Sequence, residues 1–195
     1  MRLIGVYDYT VILTYLSLVS AFMGMILASR GACGAAVLCL IGSGICDAFD
    51  GTVARSKKNR TEDEKAFGIQ LDYLCDVISF GVFPAFVCYM LGMKRPVGLL
   101  ILALYCVCAV IRLAFFNVLE AKRQQVEGGS NKYYRGLPVT SISMLFPLVY
   151  LLIYVLPGAW FVGVLHVMLG VTAFLFVLDV PIKKLDLWAL LHPKK

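Results

Sequence analysis

Long apolar runs separated by short polar connectors make up most of the chain. The runs fall at about 11–29, 33–49, 69–91, 97–119, 138–156 and 160–180. Each is close to the roughly 20 residues that a helix needs to cross the hydrocarbon core of a bilayer. Extended into their polar ends, they predict an all-α integral membrane protein with six transmembrane helices. The expected spans are about 11–29, 33–55, 66–91, 97–119, 138–156 and 160–180.

Turn-forming and capping residues mark where these helices begin and end. Ser29-Arg30-Gly31 and Pro157-Gly158 each predict a tight turn between two spans. Thr61 is followed three residues later by Glu64, which predicts a capping box at the start of the third helix. No internal repeat is visible, so we expect residues 1–195 to form a single transmembrane domain.

The composition supports a membrane protein and sets its orientation. The chain is 61% hydrophobic and 15% charged, which is too apolar for a soluble domain of this size. With six spans, fourteen of the eighteen Lys and Arg residues lie on the side of the two termini, and three lie on the other side: Arg30, Lys94 and Arg95. Arg112 lies within the fourth span. This bias predicts cytoplasmic termini.

The net charge of +6 is explained by that orientation and by attraction to anionic membrane lipids. The basic residues lie mainly in loops and termini beside apolar spans, so no nucleic-acid partner is expected. The charge pattern instead favours membrane lipids as partners.

Four aspartates lie in or beside apolar spans, where a carboxylate is costly: Asp47, Asp50, Asp72 and Asp76. At helical spacing, positions 47, 50 and 54 share one helix face, and positions 68, 72 and 76 share another. Both pairs lie near the predicted cytoplasmic edge. Two facing helices would therefore offer four carboxylates, and hard divalent cations prefer such oxygen ligands.

The residues around the aspartates indicate that the ligand of this metal site contains phosphate. Divalent ions would neutralise a phosphoanhydride, and one carboxylate could accept a proton from the nucleophile. Gly51 allows a ligand to approach the backbone, and Ala54 keeps the same face shallow. Arg55 can bind a pair of phosphate oxygens. Gly68 leaves room on the facing helix.

These positions resemble the signature of the CDP-alcohol phosphatidyltransferase family. All eight fixed positions match in Asp47-x2-Asp50-Gly51-x2-Ala54-Arg55 … Gly68-x3-Asp72-x3-Asp76. Further segments resemble the phosphatidylserine synthase branch: Asp76-x2-Ser79-Phe80-Gly81-x2-Pro84, Arg112-Leu113-Ala114-x-Phe116-Asn117 and Gly136-Leu137-Pro138. The chain departs from the family in a longer spacer between Arg55 and Gly68, and in Ser17, where many members carry Asn or Arg.

The resemblance implies transfer of the phosphatidyl group of CDP-diacylglycerol to the hydroxyl of L-serine, giving phosphatidylserine and CMP. It implies that two divalent ions, Mg²⁺ or Mn²⁺, are held by Asp47, Asp50, Asp72 and Asp76, with Asp76 also the general base. The implied cytidine and phosphate site consists of Gly51, Ala54, Arg55 and Gly68. The residues we assign to the acceptor are Ser79, Arg112, Lys132 and Arg135. The resemblance also implies a homodimer.

Two alternatives remain open from the sequence. Glycerol-3-phosphate or inositol phosphate could replace serine, although a phosphorylated acceptor would favour a denser basic pocket than Arg112 alone provides inside the membrane. A cation or proton-coupled transporter could use intramembrane acids as a relay. A transporter predicts acids spread across the membrane depth, whereas the four aspartates cluster at one edge.

Overall fold

The computed structural model of the chain describes residues 5–6, 8–57, 60–125, 133–179 and 181–183. The α-helices in these ranges are α1 (Ile12–Ser29), α2 (Cys33–Ser56), α3 (Glu62–Asp76), α4 (Phe83–Met90), α5 (Pro96–Gln125), α6 (Ile142–Tyr150) and α7 (Gly158–Val177). A π-helical segment, Val77–Val82, joins α3 to α4. Short 3₁₀ turns cover Tyr9–Val11, Val139–Ser141 and Leu151–Tyr154. The predicted all-α membrane fold is confirmed.

Five helical stretches among the described residues are long and apolar enough to cross a bilayer: Tyr9–Ser29, Cys33–Ala54, Glu62–Met90, Pro96–Leu119 and Gly158–Val177. The remaining predicted span, 138–156, corresponds to a shorter apolar helix, Val139–Tyr154. Pro147 lies inside α6, and proline removes one backbone donor from a helix. The helix then tightens into a 3₁₀ turn and ends.

The outer faces of these helices carry large apolar side chains. Leu38, Val97 and Val167 are 68%, 65% and 66% exposed. Such a surface would promote aggregation in water, whereas in a bilayer it faces lipid tails. With the helix lengths, this apolar surface makes the protein an integral membrane protein.

The helix ends confirm the predicted turns and cap. The Thr61 side chain accepts from the backbone N–H of Glu64, and the Glu64 side chain accepts from the N–H of Thr61. Gly31 has a φ of +82° in the turn between α1 and α2, a conformation that costs glycine little. Pro157 is the N-cap residue of α7.

Small residues let α2 approach its neighbours closely. A Cβ atom at Gly44 would overlap Ser143 of α6, and one at Gly42 would lie 3.3 Å from the Ser20 hydroxyl of α1. On α1, a Cβ atom at Gly24 would overlap the ring of Phe83. This close packing holds α2, with the aspartates at its end, against α1 and α6.

The π-helical segment directly after Asp76 was not predicted. Its wider turn breaks the regular hydrogen-bond ladder, and such turns are common at functional sites. Tyr105, which is fully buried on α5, donates its hydroxyl hydrogen to the Phe80 carbonyl at 2.6 Å. The segment is therefore held by a side chain from a neighbouring helix.

A short antiparallel pair of strands was also not predicted. Strand β1 (Tyr133–Arg135) pairs with β2 (Pro181–Lys183), with Tyr134 opposite Ile182. The ribbon joins the backbone before α6 to the backbone after α7. It thus fixes where Gly136, Leu137 and Pro138 lie over the end of the helix bundle.

Candidate active site

Helices α2 and α3 bring the predicted aspartates together. One carboxylate oxygen from each of Asp47, Asp50 and Asp72 lies within 4.8 Å of the other two. All three residues are half-buried. The facing-helix arrangement predicted from the 47/50 and 72/76 spacing is therefore present for these three residues.

Asp76 lies one turn beyond Asp72, deeper in the bundle. It is 8% exposed, whereas the other three aspartates are half-buried. Asp76 is therefore the most enclosed of the four. At the junction of α3 and the π-helical segment, Asp76 lines a cavity together with Arg112 of α5.

A small cavity opens beside Asp50 and Asp72. Its volume is about 130 Å³. It is lined by the predicted nucleotide-site residues Gly51, Ala54 and Gly68, together with Thr10, Val11, Thr14, Arg60 and Ile69. We refer to it as the α1–α3 cavity. The structure thus brings together three of the four residues predicted for the cytidine and phosphate site.

Two buried polar atoms in the residues lining the α1–α3 cavity lack hydrogen-bond partners among the described residues. They are Nε of Arg60 and Oδ1 of Asp72. Leaving a buried donor or acceptor unpaired is costly. The cavity therefore combines an available guanidinium N–H with an available carboxylate oxygen, as expected of a site that binds a polar ligand.

A second cavity lies on the other side of Asp76. Its volume is about 340 Å³, and it is lined by Asp76 and Arg112 together with Tyr73, Leu113, Phe116, Pro138, Val139 and Thr140. We refer to it as the α3–α5 cavity. It places a carboxyl group and a guanidinium group on one polar surface within a mainly apolar wall.

Arg112 is held in place by the backbone beyond the β ribbon. It is 4% exposed, and its Nε and Nη2 atoms donate to the carbonyls of Leu137 and Gly136, both at 3.0 Å. Its guanidinium carbon lies 3.8 Å from the centre of the Phe116 ring. Two of the five guanidinium N–H groups are thus used to fix the Gly136-Leu137 backbone.

A third, mainly apolar cleft separates α2 from α6. Its volume is about 510 Å³, and its lining includes Ile41, Ile45, Phe49, Met144 and, at its polar end, Asp47. The cleft thus links the acidic cluster to the lipid-facing surface of α2.

The remaining predicted site residues are placed as follows. Ser79 is fully buried, 3.4 Å from the Ser17 hydroxyl, and does not line any of the three cavities. Arg55 lies in the last turn of α2 and Arg135 in β1, but their side chains are outside the described part of the chain. Lys132 is outside the described residues altogether.

Several lining residues were missed from sequence. Thr10 and Thr14 lie on the chain before and within α1, and Arg60 lies in the polar connector before α3. The sequence did contain one signal for Arg60: it is eight residues before Gly68, in the spacer that is longer than usual. Tyr73 and Thr140 lacked any such signal.

A family model covers most of the chain. The model of the CDP-alcohol phosphatidyltransferase family matches residues 9–184. The chain belongs to the CDP-alcohol phosphatidyltransferase family. The resemblance inferred from eight signature positions is thereby confirmed over nearly the whole chain.

Several curated proteins with similar sequences have names that specify serine as the acceptor or a serine lipid as the product. The CDP-diacylglycerol–serine O-phosphatidyltransferase of Saccharomyces cerevisiae is 36% identical over 110 residues, which cover 55% of this chain and 38% of that protein. The archaetidylserine synthase of Methanothermobacter thermautotrophicus is 34% identical over 129 residues, 66% of this chain and 51% of that protein. The CDP-diacylglycerol–serine O-phosphatidyltransferase of Mycobacterium tuberculosis is 32% identical over 155 residues, which cover 77% of this chain and 52% of that protein.

The chain spans about half the length, or less, of these curated relatives. Their names confirm the resemblance to the phosphatidylserine synthase branch. No solved structure gives a significant match to the chain.

CDP-alcohol phosphatidyltransferases use divalent metal ions, and the acidic cluster fits such an ion. Three carboxylate oxygens within 4.8 Å of one another form an all-oxygen donor set, the kind that Mg²⁺ and Mn²⁺ prefer. Oδ1 of Asp72 has no hydrogen-bond partner among the described residues, so it is available as a ligand atom. A cation would also offset the repulsion between these carboxylates.

Proposed function

We propose that this protein transfers the phosphatidyl group of CDP-diacylglycerol to the hydroxyl of L-serine, releasing CMP. One observation carries the proposal: the acidic cluster lies between two cavities. Asp50 and Asp72 line the α1–α3 cavity, and Asp76 lines the α3–α5 cavity. A reaction that joins two substrates at a phosphate needs this arrangement, with a nucleotide on one side and an acceptor on the other.

Asp47, Asp50, Asp72 and Asp76 would hold two divalent ions, Mg²⁺ or Mn²⁺. When bound, such ions neutralise the negative charge of a pyrophosphate and of the leaving group. Gly51 and Ala54 leave space for the nucleotide in the α1–α3 cavity, which Gly68 also lines. Arg55 follows on the same helix as a phosphate ligand. The nucleotide thereby sits against the cluster with its pyrophosphate nearest the carboxylates.

Asp76 is the general base of the proposed reaction. The serine hydroxyl gives its proton to the Asp76 carboxylate and its oxygen forms a bond to the β-phosphorus. The bond from that phosphorus to the bridging oxygen breaks, and CMP leaves with the bonding electrons. Only 8% of Asp76 is exposed, which limits the access of water to the base.

Arg112 is suited to bind the carboxylate of serine. Its guanidinium borders the same cavity as Asp76, and its two bonds to backbone carbonyls fix its orientation there. Ser79, Lys132 and Arg135 are kept as acceptor-site candidates from the sequence. One carboxyl group and one guanidinium group match the two opposite charges of serine better than the two negative charges of a phosphate.

The membrane setting suits a lipid donor and a water-soluble acceptor. The apolar cleft between α2 and α6 would receive the donor's hydrocarbon chains, because it runs from the lipid-facing surface to Asp47. The excess of Lys and Arg on the side of the termini supports cytoplasmic termini and a cytoplasmic active site. We also propose a homodimer, from the family resemblance, and a single domain over residues 1–195, from the continuous series of apolar spans.

The experiment that tests this function is an acceptor panel with purified protein in detergent. The donor is CDP-diacylglycerol or its archaeol analogue, with Mn²⁺ or Mg²⁺, and the acceptors are serine, glycerol-3-phosphate and inositol phosphate. Serine-dependent release of CMP that EDTA abolishes, together with a serine-containing lipid, is expected. CMP release with a phosphorylated acceptor alone would contradict the serine assignment, and no release with any acceptor would contradict the transferase assignment.

A further inference from the structure

We propose that Arg60 is a nucleotide-binding residue and that the absence of a side chain at Gly68 leaves the space that the Arg60 guanidinium occupies. The proposal rests on the proposed function, because it assigns a new ligand to the nucleotide side of that site. Arg60 lies outside the eight signature positions, in the connector between α2 and α3.

The Arg60 side chain occupies the space that a side chain at position 68 would need. A Cβ atom on Gly68 would lie 2.6 Å from Nη2 of Arg60 and 3.7 Å from its guanidinium carbon. Among the described residues, no other atom outside the backbone of α3 and the two residues next to Gly68 lies within 4 Å of that Cβ position. The absence of a side chain at position 68 therefore makes room for one particular guanidinium group.

The guanidinium is anchored at one end and available at the other. Nη2 donates to the backbone carbonyl of Glu64 at 3.0 Å. Glu64 itself is fixed by the capping box with Thr61 at the start of α3. The Nε–H group is buried and has no partner among the described residues. A single backbone contact thus orients the group while leaving other donors unused.

The unused donors belong to a residue that lines the α1–α3 cavity, together with Asp50, Asp72 and Gly51. A ligand here must offer hydrogen-bond acceptors to a cation while it lies beside carboxylates. The phosphate, ribose and pyrimidine carbonyl oxygens of a cytidine nucleotide are such acceptors. The guanidinium accordingly binds the nucleotide shared by CDP-diacylglycerol and CMP, and it does not touch the serine in the α3–α5 cavity.

The test is a double-mutant cycle with Arg60→Ala, Gly68→Ala and the double variant. CMP binding is measured directly by calorimetry in the presence of Mn²⁺, and the KM values for CDP-diacylglycerol and serine are measured separately. Loss of one charge-assisted hydrogen bond corresponds to about tenfold weaker binding. We expect Arg60→Ala to weaken CMP binding and raise the donor KM about tenfold, with the serine KM unchanged.

Gly68→Ala should give a similar loss by displacing Arg60. Because both changes act through one side chain, the double variant should be no worse than Arg60→Ala. The control is Lys57→Ala, which removes a positive charge from the same connector but pairs with Asp8 and Glu64. It should leave CMP binding unchanged.

Unchanged CMP binding in Arg60→Ala would overturn the proposal, as would additive losses in the cycle. A fall in kcat with an equal rise in both KM values would indicate a merely structural role and would also overturn it. Failure of the proposed function is distinguishable. A wild-type protein that binds CMP but transfers nothing to serine contradicts the function and leaves the Arg60 test intact, whereas a wild-type protein that does not bind CMP contradicts both.

Discussion

The hydroxyl oxygen of Thr14 lies 3.4 Å from Oδ2 of Asp50, and Thr14 donates to it. Thr14 is 6% exposed and belongs to α1, whereas Asp50 belongs to α2. The first helix therefore contributes to the acidic cluster without supplying a carboxylate. Loss of a hydrogen-bond partner that orients a metal-ligating carboxylate typically lowers metal affinity or activity by about 10–100-fold.

Replacing Thr14 with the isosteric Val should lower transfer activity about tenfold, because Asp50 loses a hydrogen bond that orients it. The concentration of Mn²⁺ needed for half-maximal activity should rise in parallel. The control is Thr172→Val, which removes a buried hydroxyl bonded to the Met168 carbonyl of its own helix α7. An unchanged metal requirement in Thr14→Val would contradict an orienting role.

Gly24→Ala should destabilise the protein by about 1–3 kcal/mol, because the new methyl group overlaps the buried ring of Phe83 and overpacks the core. The matched control is Gly163→Ala on α7, where a Cβ atom meets nothing within 4 Å. The control should be neutral or slightly stabilising, since alanine favours a helix. Thermal unfolding in detergent measures both. Equal melting temperatures for the two variants would contradict the packing described.

The ion pair between Asp8 and Lys57, at 2.8 Å, predicts a pH-dependent contribution to stability. Hydrogen bonds from Lys57 and then Thr10 hold the pKa of Asp8 at about 2, below its usual 3.8. The contribution is therefore complete above about pH 4 and is lost as the pH falls toward 2. Hydrogen bonds to Asp8 and Glu64 raise the pKa of Lys57, so the pair persists to high pH.

Asp8→Asn should lower the free energy of unfolding by less than about 1 kcal/mol near neutral pH, as expected for a solvent-screened pair. The difference from wild type should disappear toward about pH 2. Denaturant titrations at several pH values measure it. A difference that grows as the pH falls would have the wrong sign for this ion pair.

Arg112→Lys should raise the KM for serine at least several-fold more than the KM for CDP-diacylglycerol. A lysine ammonium group cannot hold the Leu137 and Gly136 carbonyls and also present a planar fork to a carboxylate. Steady-state kinetics with each substrate varied separately measures the ratio. An equal rise in both KM values would indicate that Arg112 acts only on the backbone it holds.

Sequence spacing was sufficient to predict the aspartate cluster. Helical periodicity puts 47 with 50 and 72 with 76 on single faces, and the short polar connector around Thr61 keeps the end of α2 close to α3. Gly51, Ala54 and Gly68 follow from the same periodicity. The three residues meet at one cavity because small side chains leave space at equivalent depth on two facing helices.

The parts that sequence did not predict depend on contacts between distant segments. The π-helical turn at Val77–Val82 is held by the Tyr105 hydroxyl from α5, and the β ribbon joins segments almost 50 residues apart. The buried Ser17, Ser43 and Ser79 connect α1, α2 and the π-helical segment through hydrogen bonds. Local patterns carry no information on such pairings.

In the proposed reaction, the aspartate cluster organises transfer of a phosphatidyl group to serine. The most direct measurement compares wild type with Asp50→Asn for incorporation of labelled serine into lipid from CDP-diacylglycerol. Asp63→Asn, which changes an exposed acid in the first turn of α3, is the control. Wild type and control should incorporate serine in a manner that EDTA abolishes, while Asp50→Asn should unfold at a similar temperature but lose more than about 99% of the activity. Substantial serine incorporation by a folded Asp50→Asn protein would contradict the account.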